Sequence, residues 1–241
     1  MLKCWPIFLL LVLFSCNNNK TPDLKLAVAA NAQFALREIA DAFEQETGIA
    51  VGITAGSSGK LTAQIMQGAP FDVFVSADME YPKYLKSKKN YPKDPQVYAI
   101  GQLLLCVNIN SIAAEQGNRK VAIPNPKTAP YGRAALQYLQ GSKDSVWLER
   151  LVFGESVGQV NQFMFAGTVA MAVTAASTKH LIDLEHWNVQ IVNNKKQEPL
   201  LQGALVLNQN ADALAFFNFL QSDISREIFI QYGYAVPSKH E

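Results

Sequence analysis

Apolar and polar positions along this chain repeat in two periods. Leu36, Ile39, Ala40 and Phe43 fall at i, i+3, i+4 and i+7, while Arg37, Glu38, Asp41 and Glu44 fill the positions between. That spacing predicts a helix with one apolar stripe and one charged face. Gly48 follows where a helix C-cap favours glycine. Ile49, Val51 and Ile53 then alternate, as a strand requires. Residues 24–29 (LKLAVA) predict a short strand ahead of this helix. Residues 60–67 predict a second helix with Leu61 and Ile65 inward, stopped by Gly68-Ala69-Pro70, and residues 71–75 a third strand. The β-α-β-α-β order favours a parallel sheet with helices on both faces.

A second set follows. Strands are expected at 121–123, 169–173 and 189–192, and helices at 133–140 and 157–165. Helices at 211–220 and 226–232 finish the chain. Two long apolar runs, 97–107 (VYAIGQLLLCV) and 200–207 (LLQGALVL), separate the sets. The economical architecture is α/β, with two α/β lobes joined by two crossing segments and a ligand cleft between them. Residues 21–101 with 206–241 form lobe one in this reading, and residues 102–205 form lobe two.

The start of the chain reads differently. Lys3 precedes ten apolar residues, 5–14 (WPIFLLLVLF). A membrane span needs about 20 residues, so this run has the length of a signal peptide. It ends in Leu13-Phe14-Ser15-Cys16, which resembles a bacterial lipobox. The resemblance implies cleavage before Cys16 and lipidation of its thiol. An ordinary secretory signal with an incidental cysteine is the alternative. Residues 17–22 are polar and read as a tether, so residues 1–20 are taken as signal peptide and tether. The expected location is the periplasm or cell envelope, at the membrane through an N-terminal lipid.

Composition narrows the function classes. Of 241 residues, 49% are apolar and 17% charged, with a net charge of +1. That balance suits a folded core and excludes a disordered chain. It also excludes a strongly basic nucleic-acid module. Three cysteines make no disulfide framework, and three histidines show no metal-ligand spacing.

In open α/β sheets, ligands sit beyond the carboxyl ends of the strands. Those positions hold Ala30-Asn31, Gly56-Ser57-Ser58-Gly59, Pro130-Tyr131-Gly132, Ser156-Val157-Gly158 and Thr174-Ala175. All are small or polar and uncharged, and several open a helix. Helix N-termini present unpaired N–H groups and about half a positive charge, so several aimed at one cleft make an anion site without Lys or Arg. Each segment alone also reads as an ordinary cap or loop. Their recurrence is what points to an anion.

Catalytic patterns fail. A P-loop needs G-x-x-x-x-G-K-[ST], but Thr54 and Leu61 break it around Gly59-Lys60. G-S-S-G is not a nucleophile elbow. Cys106 lies in an apolar run and reads as a buried thiol. Tyr232 and Tyr234 lack a histidine or carboxylate partner for iron. An extracytoplasmic hydrolase using Ser58, or a pair of Asp72 and Asp78, is the rival from another class.

Three segments resemble a known family: Ala29-Ala30-Asn31, residues 55–61 (AGSSGKL) and, most specifically, residues 68–78 (GAPFDVFVSAD). Residues 129–135 (APYGRAA) and 231–234 (QYGY) fit its later motifs. The family is the periplasmic molybdate-binding proteins of ABC transporters, and the likeness covers about residues 24–236. It implies a type II periplasmic binding protein, not an enzyme, with no cofactor and no nucleic-acid partner. The expected protein is a monomer that captures molybdate or tungstate and delivers it to an ABC permease. The resemblance places the oxyanion at Asn31, Ser58, Tyr131, Val157 and Thr174. Ser58 would give hydroxyl and amide, and Tyr131 and Val157 their main-chain N–H. Thr174 falls where many members carry a tyrosine. The alternative is the same fold with another anion, such as sulfate, phosphonate or a small organic anion.

Overall fold

The computed structural model describes residues 22–113, 120–142, 145–192 and 198–238. Cys16, its lipidation and the signal peptide lie outside the described residues. Among the described residues, ten strands and eight α-helices run in the order β1 (Leu24–Ala29), α1 (Gln33–Thr47), β2 (Val51–Gly56), α2 (Ser58–Met66), β3 (Val73–Ser76), α3 (Glu80–Lys88), β4 (Gln96–Gly101), β5 (Leu103–Asn108), α4 (Ile109–Ala113), β6 (Val121–Pro124), α5 (Pro130–Gln140), β7 (Leu151–Gly154), α6 (Val157–Phe165), β8 (Met171–Ala175), β9 (Trp187–Ile191), β10 (Leu200–Val206), α7 (Ala211–Phe219) and α8 (Asp223–Gln231).

The strands form two five-stranded sheets, β2-β1-β3-β10-β4 and β7-β6-β8-β5-β9. In the first, β1 is parallel to β2 and β3, while β10 runs antiparallel to both β3 and β4. In the second, β6 is parallel to β7 and β8, while β5 is antiparallel to β8 and β9. Each sheet is therefore mixed rather than wholly parallel.

The apolar stripe of α1 is buried at Leu36, Ile39, Ala40 and Phe43. Phe43 packs edge-on against Phe216 and Phe219, with ring centroids 5.1 and 5.3 Å away. Such pairs contribute about 0.5–1.5 kcal/mol beyond their buried area. Gly48 ends α1 at φ 75°, a left-handed conformation that glycine adopts without penalty, and its N–H closes on Glu44 O. Apolar clusters cover both faces of each sheet.

The expected crossings need correction at one end. The run 97–107 is two strands in different sheets, and the chain passes from lobe one to lobe two at Gly101-Gln102. The run 200–207 is not a crossing. Its β10 lies inside the first sheet between β3 and β4, so residues 200–205 belong to lobe one, not lobe two. A strand covered on both faces is apolar at nearly every position, and so is a buried connection. The apolar run alone does not separate the two.

Candidate functional site

The lobes meet around a small cleft lined by Ala29, Ala30, Asn31, Gly56, Ser57, Ser58, Ala77, Ala129, Pro130, Ser156 and Val157. The space between these residues is about 200 Å³ with its opening to solvent included. Among the described residues, no lining side chain ionises near neutral pH. The cleft lies beyond the carboxyl ends of β1, β2 and β3 on one side and at the starts of α5 and α6 on the other.

Three helices open here. Ser58 is the first residue of α2, Tyr131 the second of α5 and Val157 the first of α6. First-turn N–H groups have no intrahelical acceptor. Those of Ser58, Tyr131 and Val157, and that of Asn31 in the turn before α1, meet no protein acceptor among the described residues. Pro130 opens α5 without an N–H of its own, which leaves Tyr131 as that helix's first donor. Ser58 Oγ accepts from Ala77 N–H at 3.0 Å, so the hydroxyl proton remains free to donate.

Asn31 is held from behind. Gln202 Nε2 donates to Ala77 O (3.1 Å) and Leu200 O (3.0 Å). Two carbonyl acceptors fix that amide's orientation, so Oε1 faces Asn31 and requires a donor. Asn31 Nδ2 supplies it at 2.8 Å and also donates to Tyr234 Oη at 2.8 Å. Tyr234 Oη in turn donates to Asn31 O at 2.9 Å, and Ser177 Oγ donates to the same carbonyl at 2.8 Å. Both hydrogens of the Asn31 side-chain amide are thus used inside the protein. What Asn31 can offer an anion is its main-chain N–H.

Thr174 stands apart from the other expected residues. It is fully buried, does not line the cleft, and its hydroxyl donates to Asn161 Oδ1 at 3.0 Å. Strand parity explains this. Thr174 shares a face of β8 with Ala172, which packs with Val160 and Met164 of α6. The expectation that Thr174 faces the anion does not fit this placement. The Tyr131 ring also turns away. Its hydroxyl lies beside Gly101 and Gln202, where a side chain at Gly101 would collide with both. Burial pushes the Tyr131 phenol well above its usual pKa, Tyr234 adds to the rise, and the Asn31 side chain opposes it.

Sequence reasoning missed Gln202, Ser177 and the inward role of Tyr234. Gln202 did leave a signal, as the lone polar side chain in the run 200–207. Ser177 left none.

The lobes are joined across the cleft by Gly59 N–H to Thr128 O at 2.8 Å and by Lys60 Nζ to Glu155 Oε1 at 2.7 Å. The latter pair is exposed and worth about 0–1 kcal/mol. Arg133 of α5 reaches Asp78 and Glu80 of lobe one. Burial lifts the Asp78 carboxyl above its usual range, outweighing the Tyr81 N–H and the Arg133 guanidinium, which pull it down. His180 sits edge-on between the rings of Phe34 and Tyr232, at 5.3 and 5.1 Å.

The geometry gives the hydrolase no support. Among the described residues, no base lines the cleft around Ser58. Asp72 precedes β3 and Asp78 follows it, so they sit at opposite ends of the strand. Asp72 is engaged by Lys25 N–H and Asn208 Nδ2. Cys106 is buried, and burial pushes its thiol up to about 12. Among the described residues, no cluster of His, Cys, Asp or Glu is arranged to hold a metal ion.

Comparison with known proteins agrees with this architecture. Residues 24–235 match the family model described as bacterial extracellular solute-binding protein. The molybdate-binding protein ModA of Rhodobacter capsulatus is 34% identical over 219 residues, covering 86% of each chain. That of Azotobacter vinelandii is 32% identical over 231 residues, covering 89% of this chain and 90% of the relative. The solved Azotobacter vinelandii periplasmic molybdate-binding protein superposes with a TM-score of 0.78, covering 89% of this chain and 100% of that one. With two α/β lobes closing on a cleft of neutral donors, this chain belongs to the bacterial extracellular solute-binding protein family and has the periplasmic-binding-protein fold.

Proposed function

We propose that this protein captures molybdate or tungstate outside the cytoplasm and hands it to an ABC permease. The observation that carries the reading is a cleft of neutral hydrogen-bond donors with no ionisable lining, in a chain 32–34% identical to molybdate-binding proteins. Molybdate and tungstate are fully deprotonated dianions near neutral pH, so their site needs donors only. Hydrogen phosphate carries a proton and needs an acceptor, and no carboxylate lines this cleft. Sulfate is also donor-only and differs chiefly in size. In a cavity fitted to a larger ion it makes longer, weaker hydrogen bonds.

The donors proposed are the main-chain N–H groups of Asn31, Ser58, Tyr131 and Val157 and the Ser58 hydroxyl. Hydrogen bonds to a charged group contribute about 1.5–3 kcal/mol each, so five give about 8–15 kcal/mol before the cost of closing the lobes. Nanomolar affinity needs about 12 kcal/mol. The protein acts as a monomer without a cofactor, held to the membrane by a lipid on Cys16. The test is thermal unfolding with molybdate, tungstate, sulfate or phosphate. Ligand at about 1,000 times its dissociation constant stabilises by about 4 kcal/mol, which raises Tm by roughly 8–16 °C for a protein this size. Shifts of that size with molybdate and tungstate alone are expected. A larger shift with sulfate would reassign the ligand, and no shift with any of the four would end the oxyanion reading.

A further inference from the structure

We infer that Ser57, which the family resemblance does not assign, is a further direct hydrogen-bond donor to the bound oxyanion. The inference rests on the oxyanion reading above and adds a residue to that site.

Ser57 is the N-cap of α2, with φ −73° and ψ 143°, and its carbonyl accepts from Leu61 N–H at 3.0 Å. A serine here ordinarily turns its Oγ inward to accept an N–H from the first turn. Ser57 makes no such bond. One reason is visible: the Gly59 N–H, an ordinary target of the cap, is already bonded to Thr128 O across the lobes. Ser156, the N-cap of α6 on the opposite wall, does accept from Gln159 N–H.

The Ser57 side chain is nevertheless buried. The residue is 5% exposed, and its Oγ has no hydrogen-bond partner among the described residues. Leaving a buried hydroxyl unpaired costs free energy, and such groups in native proteins point to a missing ligand or water. Ser57 lines the cleft beside Asn31, Ser58 and Val157. Of the other unpartnered buried hydroxyls among the described residues, Thr128 Oγ1 belongs to a residue outside the lining, and Tyr131 Oη points away from the cleft, beside Gly101 and Gln202. A neutral hydroxyl fits the chemistry of the site, because each oxygen of a tetrahedral dianion accepts more than one hydrogen bond. Ser57 also borders an adjoining cavity with Lys60, Gln64 and Glu155. A hydroxyl turned that way would meet water and would not contribute to anion affinity.

The experiment is calorimetric titration of molybdate into the unaltered protein and into Ser57→Ala, Ser57→Thr and Ser58→Ala, with unfolding of each ligand-free protein. Ser57→Ala should bind roughly 10- to 100-fold more weakly, as loss of one hydrogen bond to an ion predicts. Ser57→Thr, which keeps the hydroxyl, should stay within about threefold. Ligand-free Ser57→Ala should melt no lower than the unaltered protein, since no capping bond is lost. Ser57→Cys, a near-isostere with a weak donor, gives the same reading should Ser57→Ala fold poorly. Affinity of Ser57→Ala within about twofold of normal, beside a weakened Ser58→Ala, would overturn this inference and leave the oxyanion reading standing. A lowered melting temperature with unchanged affinity would make Ser57 a cap and overturn it equally. Failure of the unaltered protein to bind molybdate or tungstate would overturn the reading beneath it as well.

Discussion

The two walls of the cleft are built on different principles. Lobe one presents residues whose positions depend on side chains. Asn31 is pinned by Gln202 and Tyr234, and Ser58 Oγ is oriented by the Ala77 N–H. Lobe two presents backbone. Tyr131 and Val157 stand in the first turns of α5 and α6, with side chains in an apolar cluster that also takes in Ala29 and Ala77 of lobe one. Donors fixed by a helix need no side-chain chemistry, so in the proposed binding mode residue type at those two positions reports on packing rather than on the anion. Lobe one should therefore respond to side-chain substitutions, and lobe two only to changes in its amides.

The largest expected effect comes from breaking the lobe-one network with a charge. Asn31→Asp removes the donors that Gln202 Oε1 and Tyr234 Oη require and sets a carboxylate beside a dianion. At an effective dielectric of about 20, like unit charges about 5 Å apart repel by about 3 kcal/mol. Molybdate affinity measured by calorimetry should fall at least 100-fold.

Val157→Pro sharpens the lobe-two side. Proline is tolerated at the first helical position, and Ser156 already has the extended backbone (φ −152°, ψ 173°) that precedes proline readily. The substitution deletes one N–H and little else, so affinity should fall roughly 10- to 100-fold while the ligand-free fold persists. Val157→Ala should lower stability, since the side chain is buried, yet hold affinity within about threefold. Equal losses for both variants would mean that the side chain, not the amide, matters.

The smallest effect concerns the charged seam beside the neutral cleft. Because burial raises the Asp78 carboxyl above its ordinary 3.8, its contribution to stability is full below that value. The contribution is lost as pH rises through the raised native value. Asp78→Asn should flatten that part of the Tm–pH profile and change molybdate affinity less than about threefold. A larger change would give the charged seam a part in binding.

Local pattern carried much of this fold. The α1 stripe and the span of α6 follow directly from spacing and caps, because both are decided within one or two turns. β7 was not legible. Its apolar run, Leu151-Val152-Phe153, is too short to tell from a helix turn or loop, and half-covered side chains give it no alternation. Cleft-lining positions are readable where glycine and serine cluster after a strand, as at Gly56-Ser57-Ser58. The support for Asn31 was not, since Gln202 and Tyr234 are 171 and 203 residues away in sequence. Thr174 was placed by resemblance, and the face of β8 it occupies is fixed by packing on α6 that no local pattern records.

The most direct test of a cleft made of neutral donors is a crystal structure of the protein grown with tungstate, with anomalous differences collected at the tungsten edge. One strong peak is expected in the cleft, its oxygens within hydrogen-bond distance of the Ser58 and Val157 amides and the Ser58 hydroxyl. A peak held by lysine, arginine or a carboxylate elsewhere, or an empty cleft in crystals saturated with tungstate, would contradict the account.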